Sequence, residues 1–223
     1  MRKGYNGIYN RAIKRTLDII CSLLTILLFG WLYIILAVIV RIKLGSPVIF
    51  KQERPGRIDS KTGEERVFKL YKFRSMTNEK DEIGNLLPDV KRLTKFGRIL
   101  RSTSLDELPE VFNILKGDMS IIGPRPLVKE YIQYYTQEER RRHLVRPGLS
   151  GNAQVNGRNS LSWDKRFEMD VEYVDNVSFA FDLKIIAKTV IKVIKRADIG
   201  QGEELPVSFS EYRKNQMETT GKR

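Results

Sequence analysis

Two adjacent carboxylates, Asp106 and Glu107, sit in the run Arg101-Ser102-Thr103-Ser104-Leu105-Asp106-Glu107-Leu108-Pro109. Ser104 and Glu107 have the spacing of a capping box, in which side chains and backbone N–H groups satisfy each other at the start of a helix. That spacing explains neither Asp106 beside Glu107 nor Arg101 one turn earlier. A carboxylate at a helix N-terminus is held ionised by the helix dipole. Such a group binds Mg²⁺ through oxygen or attacks phosphorus.

Three further clusters carry chemistry. In Gly123-Pro124-Arg125-Pro126 two prolines fix the backbone around Arg125, and a rigid guanidinium is suited to gripping phosphate oxygens. A stiff turn with a surface arginine is the plainer reading. Between Arg146 and Asn159, glycines at 148, 151 and 157 permit close backbone approach to a ligand, and Arg158 supplies another fork. Phe167-Glu168-x-Asp170-x-x-Tyr173 reads as a helix whose acids either support a site or face solvent.

Composition narrows the chemistry. The 223 residues contain one histidine, His143, and one cysteine, Cys21. Ser-His-Asp hydrolysis, His-rich metal sites and zinc fingers are thereby set aside. An intramolecular disulfide is impossible, as suits a reducing compartment. Acid-base or nucleophilic work falls to carboxylates, Lys, Ser or Tyr. The formal charge of +13 calls for an anionic partner: nucleic acid, lipid headgroups or a phosphorylated substrate.

The elements that would hold these residues start with a membrane-type segment. Ile19 to Val40 contains no charge and, as a helix of about 1.5 Å per residue, is roughly 33 Å long. It is too long for the apolar core of a signal peptide and has no small-residue cleavage site after it. Arg11, Lys14 and Arg15 precede it and Arg41 and Lys43 follow, so both flanks carry the cytoplasmic mark. A segment that enters and leaves on one face satisfies both ends, with Gly30 as the bend; a single span and a soluble core helix are the alternatives.

Beyond it, Pro47–Phe50 reads as a short strand, Arg54-Pro55-Gly56 as a turn and Glu65–Arg74 as a half-buried strand. Helices are predicted over Asp89–Leu100, Leu108–Leu115, Gln137–Leu144 and Asp182–Arg196. The last sets Leu183, Ile186, Val190, Val193 and Ile194 against Lys184, Lys188, Lys192 and Lys195, the pattern of a helix lying in a membrane interface. A core helix with a solvated lysine face shares that pattern. The expected class is α/β, mostly α, with a membrane-inserted re-entrant helix over residues 1–44, a small catalytic domain with interfacial helices and a short sheet over 45–199, and a loose polar tail over 200–223.

The chain resembles the small monotopic phosphoglycosyl transferases, the bacterial sugar transferase family that starts glycan assembly on polyprenyl phosphate. The resemblance rests on Lys14-Arg15-x-x-Asp18, Gly45-Ser46-Pro47-Val48-Ile49-Phe50, Gln52-x-Arg54-Pro55-Gly56, Tyr71-Lys72-Phe73-Arg74-Ser75-Met76, Ser104-Leu105-Asp106-Glu107-Leu108-Pro109, Asn113-x-Leu115-Lys116-Gly117-Asp118-Met119-Ser120, Gly123-Pro124-Arg125-Pro126 and Arg146-Pro147-Gly148 through Asn159. These stretches occur in family order over residues 11 to about 196. Two departures are Gly30-Trp31, where the family has Ser-Pro, and Asn152, where it commonly has Trp.

The resemblance implies transfer of a phospho-sugar from a UDP-sugar to membrane polyprenyl phosphate, leaving UMP. It places the nucleophile on Asp106, which also shares the Mg²⁺, and the second acid of the dyad on Glu107. It places phosphate-holding arginines on Arg101, Arg125 and Arg158. The implied setting is the cytoplasmic face of the bacterial inner membrane, with membrane lipid as a partner. Across Arg146 to Arg196 the similarity is closest to members using N-acetylated amino sugars. The rival readings are a membrane-bound UDP-sugar hydrolase and a non-catalytic basic scaffold. No nucleic-acid module is recognisable, so nucleic acid is not an expected partner.

Overall fold

A computed structural model describes residues 4–157, 160–195 and 207–220. Short turns at Gly4–Asn6 and Tyr9–Ile13 lead into one helix, α1, spanning Lys14–Leu44. The helix runs through Gly30, the residue expected at a bend, without a break in its assignment. Glycine costs a helix about 1 kcal/mol relative to alanine, whereas proline also removes an N–H and clashes with the preceding turn. Gly30 therefore keeps the ladder intact.

One stripe of α1 faces the rest of the chain. Lys14, Asp18 and Ser22 are buried in its first half, and Leu36 and Val40 in its second, all at helical spacing. Asp18 Oδ1 accepts from Ser120 Oγ and from the Ile121 N–H, both at 3.0 Å. Nearer the other end, Tyr33 donates its hydroxyl to the Leu108 carbonyl at 2.8 Å. Leu36 and Val40 pack with Phe73 and Leu100. Both halves of α1 thus dock on the same body. The opposite face is left bare, with Leu27 79 % and Ile34 68 % exposed, which does not fit a soluble core helix.

Strands β1 (Ile49–Ile58) and β2 (Glu65–Phe73) form an antiparallel hairpin from Ile49↔Phe73 to Ile58↔Glu65. The turn expected at Arg54-Pro55-Gly56 lies inside β1. Proline is tolerated because the register shifts between Pro55 and Ile58, a bulge at which a ladder donor is not required. The helix expected over Asp89–Leu100 is two: α2 (Asp89–Arg92) and α3 (Lys95–Ser102). Thr94 breaks the run, accepting from the Gly97 N–H at 3.0 Å as the N-cap of α3.

Next come α4 (Glu110–Lys116), β3 (Ser120–Ile122), α5 (Gln137–Arg140), β4 (Gly148–Ser150), α6 (Asn152–Asn156), α7 (Trp163–Asn176) and α8 (Phe179–Lys195). Strands β3 and β4 pair in parallel. Ile122, Val145, Val155, Tyr173, Val174 and Ile185 make the central core. A last helix, α9 (Phe209–Thr220), occupies the described part of the stretch expected to be a loose tail, whose residues 200–206 and 221–223 lie outside the described residues. Phe209 is fully buried and anchors it among Tyr131, Tyr135, Trp163 and Phe167. The architecture is mostly helical, with two small two-stranded sheets.

On α8 the apolar face predicted from sequence is outward. Leu183, Val190, Val193 and Ile194 are each more than half exposed, while Ile185 faces the core and Asp182 is buried. Asp182 gathers Lys14 and the hydroxyls of Tyr9 and Tyr173, which ties α1 to α7 and α8.

Candidate active site

The two carboxylates are delivered by a tight turn between α3 and α4. Ser104 has φ 56°, a left-handed backbone that few non-glycine residues adopt. A single 3-10 turn, Leu105–Glu107, follows. Ser104 makes no capping hydrogen bond, so the capping box read from the sequence is not formed. Ion pairs take Glu107 instead, because charge-assisted bonds outweigh a neutral backbone one.

Glu107 Oε1 receives Lys72 Nζ at 2.6 Å and Arg125 Nη2 at 2.8 Å. Lys72, on β2, also lies 3.2 Å from Glu110 Oε1 at the first turn of α4. Burial works against the charge on Glu107, but the Arg125 and Lys72 cations outweigh it and hold its carboxyl down at about 2. Glu110 is pushed up to about 7, by burial and then by the Glu107 charge, with Lys72 opposing.

Asp106 differs from both. It is 8 % exposed and, among the described residues, makes no ion pair. Burial raises its pKa; Lys72 and Arg101 draw it down, and Glu107 adds to the rise. Arg101 is steadied by a 2.8 Å bond from Nε to Ser75 Oγ.

Arg125 is held from behind. Arg142 Nη2 donates to the Arg125 carbonyl at 2.7 Å and to Asp170 Oδ2 at 2.7 Å, and the Arg142–Asp170 pair is almost fully buried. The acids of the Phe167-Glu168-x-Asp170 helix therefore divide. Asp170 supports the Arg125 loop, and Glu168 pairs with Lys165 at the surface. The Tyr173 hydroxyl donates to Asp182 Oδ1 at 2.7 Å and lies 3.2 Å from the Ile122 carbonyl, next to the strand that leads to Arg125.

A cavity of about 440 Å³ runs from Glu107 and Arg125 between α1 and α8. Thr25, Val111, Ile186, Val190 and Val193 line its apolar length, and Lys192 stands on its wall. Glu107, not Asp106, faces this space.

Asp106, Glu107, Arg101 and Arg125 are thus brought close enough to influence one another electrostatically. Arg158 lies outside the described residues. Asn152 is buried, and its Nδ2 donates to the Met169 carbonyl at 3.2 Å and to Glu172 Oε2 at 3.0 Å, joining α6 to α7. Lys72, Glu110 and Arg142 were not singled out from sequence. Glu110 carried a signal: it lies three residues after Glu107, on the same helical face. No spacing pointed to Lys72 or Arg142, whose partners come from distant elements.

Among the described residues, no group of three or more His, Cys, Asp or Glu is arranged to hold a metal unaided. Mg²⁺ is commonly bound through one or two carboxylates together with substrate phosphates. An unpaired Asp106 beside arginines fits that shared mode.

Glu107 and Arg125 thus open on an apolar channel, with Asp106 buried beside them. Residues 9–196 match the family model for bacterial sugar transferases. The chain belongs to the bacterial sugar transferase family and is a transferase. It is 50 % identical over 189 residues to the sugar transferase EpsL of Bacillus subtilis, covering 85 % of this chain and 91 % of that one. It is 37 % identical over 204 residues to the undecaprenyl-phosphate galactose phosphotransferase of Salmonella typhimurium, covering 84 % of this chain and 41 % of that one. It is 41 % identical over 197 residues to the UDP-glucose:undecaprenyl-phosphate glucose-1-phosphate transferase of Klebsiella pneumoniae, covering 84 % of this chain and again 41 % of the relative. The chain therefore spans less than half the length of the two relatives named for a sugar.

Proposed function

We propose that this protein transfers a phospho-sugar from a UDP-sugar to polyprenyl phosphate, releasing UMP. The observation that carries the reading is the apolar cavity between α1 and α8 that ends on Glu107 and Arg125. A hydrolase using water has no need of such a channel, whereas a lipid phosphate needs a dry path for its chain and cations at its head. The names of the Salmonella and Klebsiella relatives support the same acceptor.

In this reading Asp106 is the nucleophile. Its carboxylate oxygen attacks the phosphorus that bears the sugar, and the bond to UMP breaks, with UMP taking the electron pair. An oxygen of the lipid phosphate then attacks the same phosphorus and returns Asp106 as a carboxylate. Glu107 is spoken for by two cations, which leaves Asp106 the acid available to react. Its raised pKa falls as cations close around it. Asp106, together with the substrate diphosphate, would hold Mg²⁺, and the ion would supply charge neutralisation for the leaving UMP.

In this reading Arg125 and Arg101 meet phosphate charge, and the bond from Arg142 to the Arg125 carbonyl supports the former. Like charges about 4 Å apart repel by about 4 kcal/mol at an effective dielectric of 20, so clustered arginines are needed where anionic phosphates meet a carboxylate. The exposed apolar faces of α1 and α8 support attachment to a membrane, with α1 lying against the body on one side rather than crossing. The proposed setting is the cytoplasmic face of the bacterial inner membrane.

UMP release from a UDP-sugar, measured with and without polyprenyl phosphate, tests the reading. Release that continues at the same rate without the lipid contradicts it and favours hydrolysis.

A further inference from the structure

A second concavity, of about 240 Å³, lies beyond the other end of α4 from the carboxylates. Arg57 and Arg66 enter from the β1–β2 hairpin, Lys61 from its turn, and Arg146 from the segment before β4. Two acids share the wall, Asp59 and Asp118. Asp59 Oδ1 accepts from the Lys61 N–H at 2.8 Å, and Asp118 Oδ2 from Asn113 Nδ2 at 3.4 Å. Among the described residues, no ion pair joins Asp59 or Asp118 to the four cations that share the wall.

The walls are built rather than loose. Arg146 Nε donates to the Gly117 carbonyl at 3.0 Å, which caps the end of α4 and fixes the guanidinium. Burial, then the nearby Arg57 and Arg15 charges, lower the hold of Arg146 on its proton. The cations are thus close enough to repel one another, and an anion between them relieves that repulsion. A phosphate offers several acceptor oxygens in a tetrahedral array, which guanidinium forks from two walls can engage together.

We propose that this cavity binds a phosphate group and is a site separate from the one at Glu107 and Arg125. Its position points to a source. A Cβ on Gly117 would lie 3.3 Å from Arg15 Nη2, and Arg15 stands just before the apolar run of α1. The cavity is therefore next to the root of the membrane-type helix, where a lipid headgroup would be within reach. A lipid source rests on the membrane placement of α1; the phosphate site itself does not.

The test uses the full chain in maltoside detergent micelles and phosphate-free buffer, with arginines labelled by phenylglyoxal and labelling rates read by peptide mass spectrometry. One arm adds phosphatidic acid to the micelles. The other adds inorganic pyrophosphate to the buffer. Labelling of Arg57 and Arg146 should slow about threefold at a ligand concentration twice the dissociation constant. Protection by phosphatidic acid alone assigns the site to a headgroup, and protection by pyrophosphate assigns it to a free phosphate. Arg66→Glu should abolish either effect, and Lys61→Glu, in the exposed hairpin turn, serves if that variant fails to fold. Unchanged labelling in both arms, or protection that persists in the Glu variants, overturns the proposal.

Discussion

Arg125 Nη2 meets Glu107 Oε1 at 2.8 Å, and the same oxygen takes Lys72 at 2.6 Å. One carboxylate oxygen therefore orients two cations that come from different elements. The Arg125 side chain is still 38 % exposed, so it can reach a substrate phosphate without leaving Glu107.

Arg125→Ala should lower kcat/KM by about 2–4 kcal/mol of transition-state stabilisation, since it removes a cation from phosphate charge formed in a water-poor site. Arg125→Lys should recover part of this, because lysine supplies the charge without the fork. Steady-state UMP release measures both. Wild-type activity in the Ala variant would reduce Arg125 to a turn residue.

Glu110 gives a pH signature in stability. Its carboxyl is pushed up to about 7 in the folded chain, above its ordinary 4.5. The folded state thus holds the proton more tightly, and the stability this gives is present below about pH 4.5 and is lost as pH rises to about 7. Glu110→Gln removes that loss and should gain on wild type by on the order of 2 kcal/mol between pH 5 and pH 8. Thermal melts of both proteins in detergent at the two pH values check the sign. Parallel melts at both pH values would mean that Glu110 is not proton-coupled to folding.

Both halves of α1 dock on one body, and the proposed function puts its two flanks on one side of the membrane. With Cys21→Ser as background, cysteines at Arg11 and at Lys61 should react with an impermeant maleimide only after spheroplasts are lysed. Labelling of the Arg11 position before lysis would place the N-terminal flank outside and make α1 a span.

Thr25 lines the apolar cavity from α1. Thr25→Trp should obstruct the lipid and raise the KM for polyprenyl phosphate about tenfold, the effect of about 1.4 kcal/mol of lost binding. The first half-reaction, with UDP-sugar alone, should keep its rate. Equal loss in both half-reactions would mean that the cavity does not carry the acceptor.

The sequence made the helix content, the apolar segment and the outward face of α8 legible because each depends on periodicity within one segment. Asp106, Glu107, Arg101 and Arg125 stood out by residue type and local spacing, each with a plainer alternative, and only the resemblance implied their roles. Lys72 and Arg142 were not, since their roles arise from contacts 35 and 28 residues away, to Glu107 and Asp170. The capping box at Ser104 misled for a related reason: distant Lys72 and Arg125 compete for Glu107 and win. Phe209 shows the same limit. A polar stretch with two aromatics, Phe209 and Tyr212, reads as a tail until tertiary packing supplies the aromatic pocket that buries Phe209.

The reaction at Asp106 is the central claim, and the covalent intermediate tests it most directly. Wild-type chain and Asp106→Asn are each incubated with Mg²⁺ and a panel of UDP-sugars, glucose, galactose and their N-acetylated amino analogues, without polyprenyl phosphate. The peptides are then read by mass spectrometry. The account predicts a phospho-sugar adduct on the Asp106 peptide of wild type with the correct sugar, absent from Asp106→Asn, and discharged when polyprenyl phosphate is added. An adduct on another residue, or an Asn variant that turns over at the wild-type rate, would contradict it.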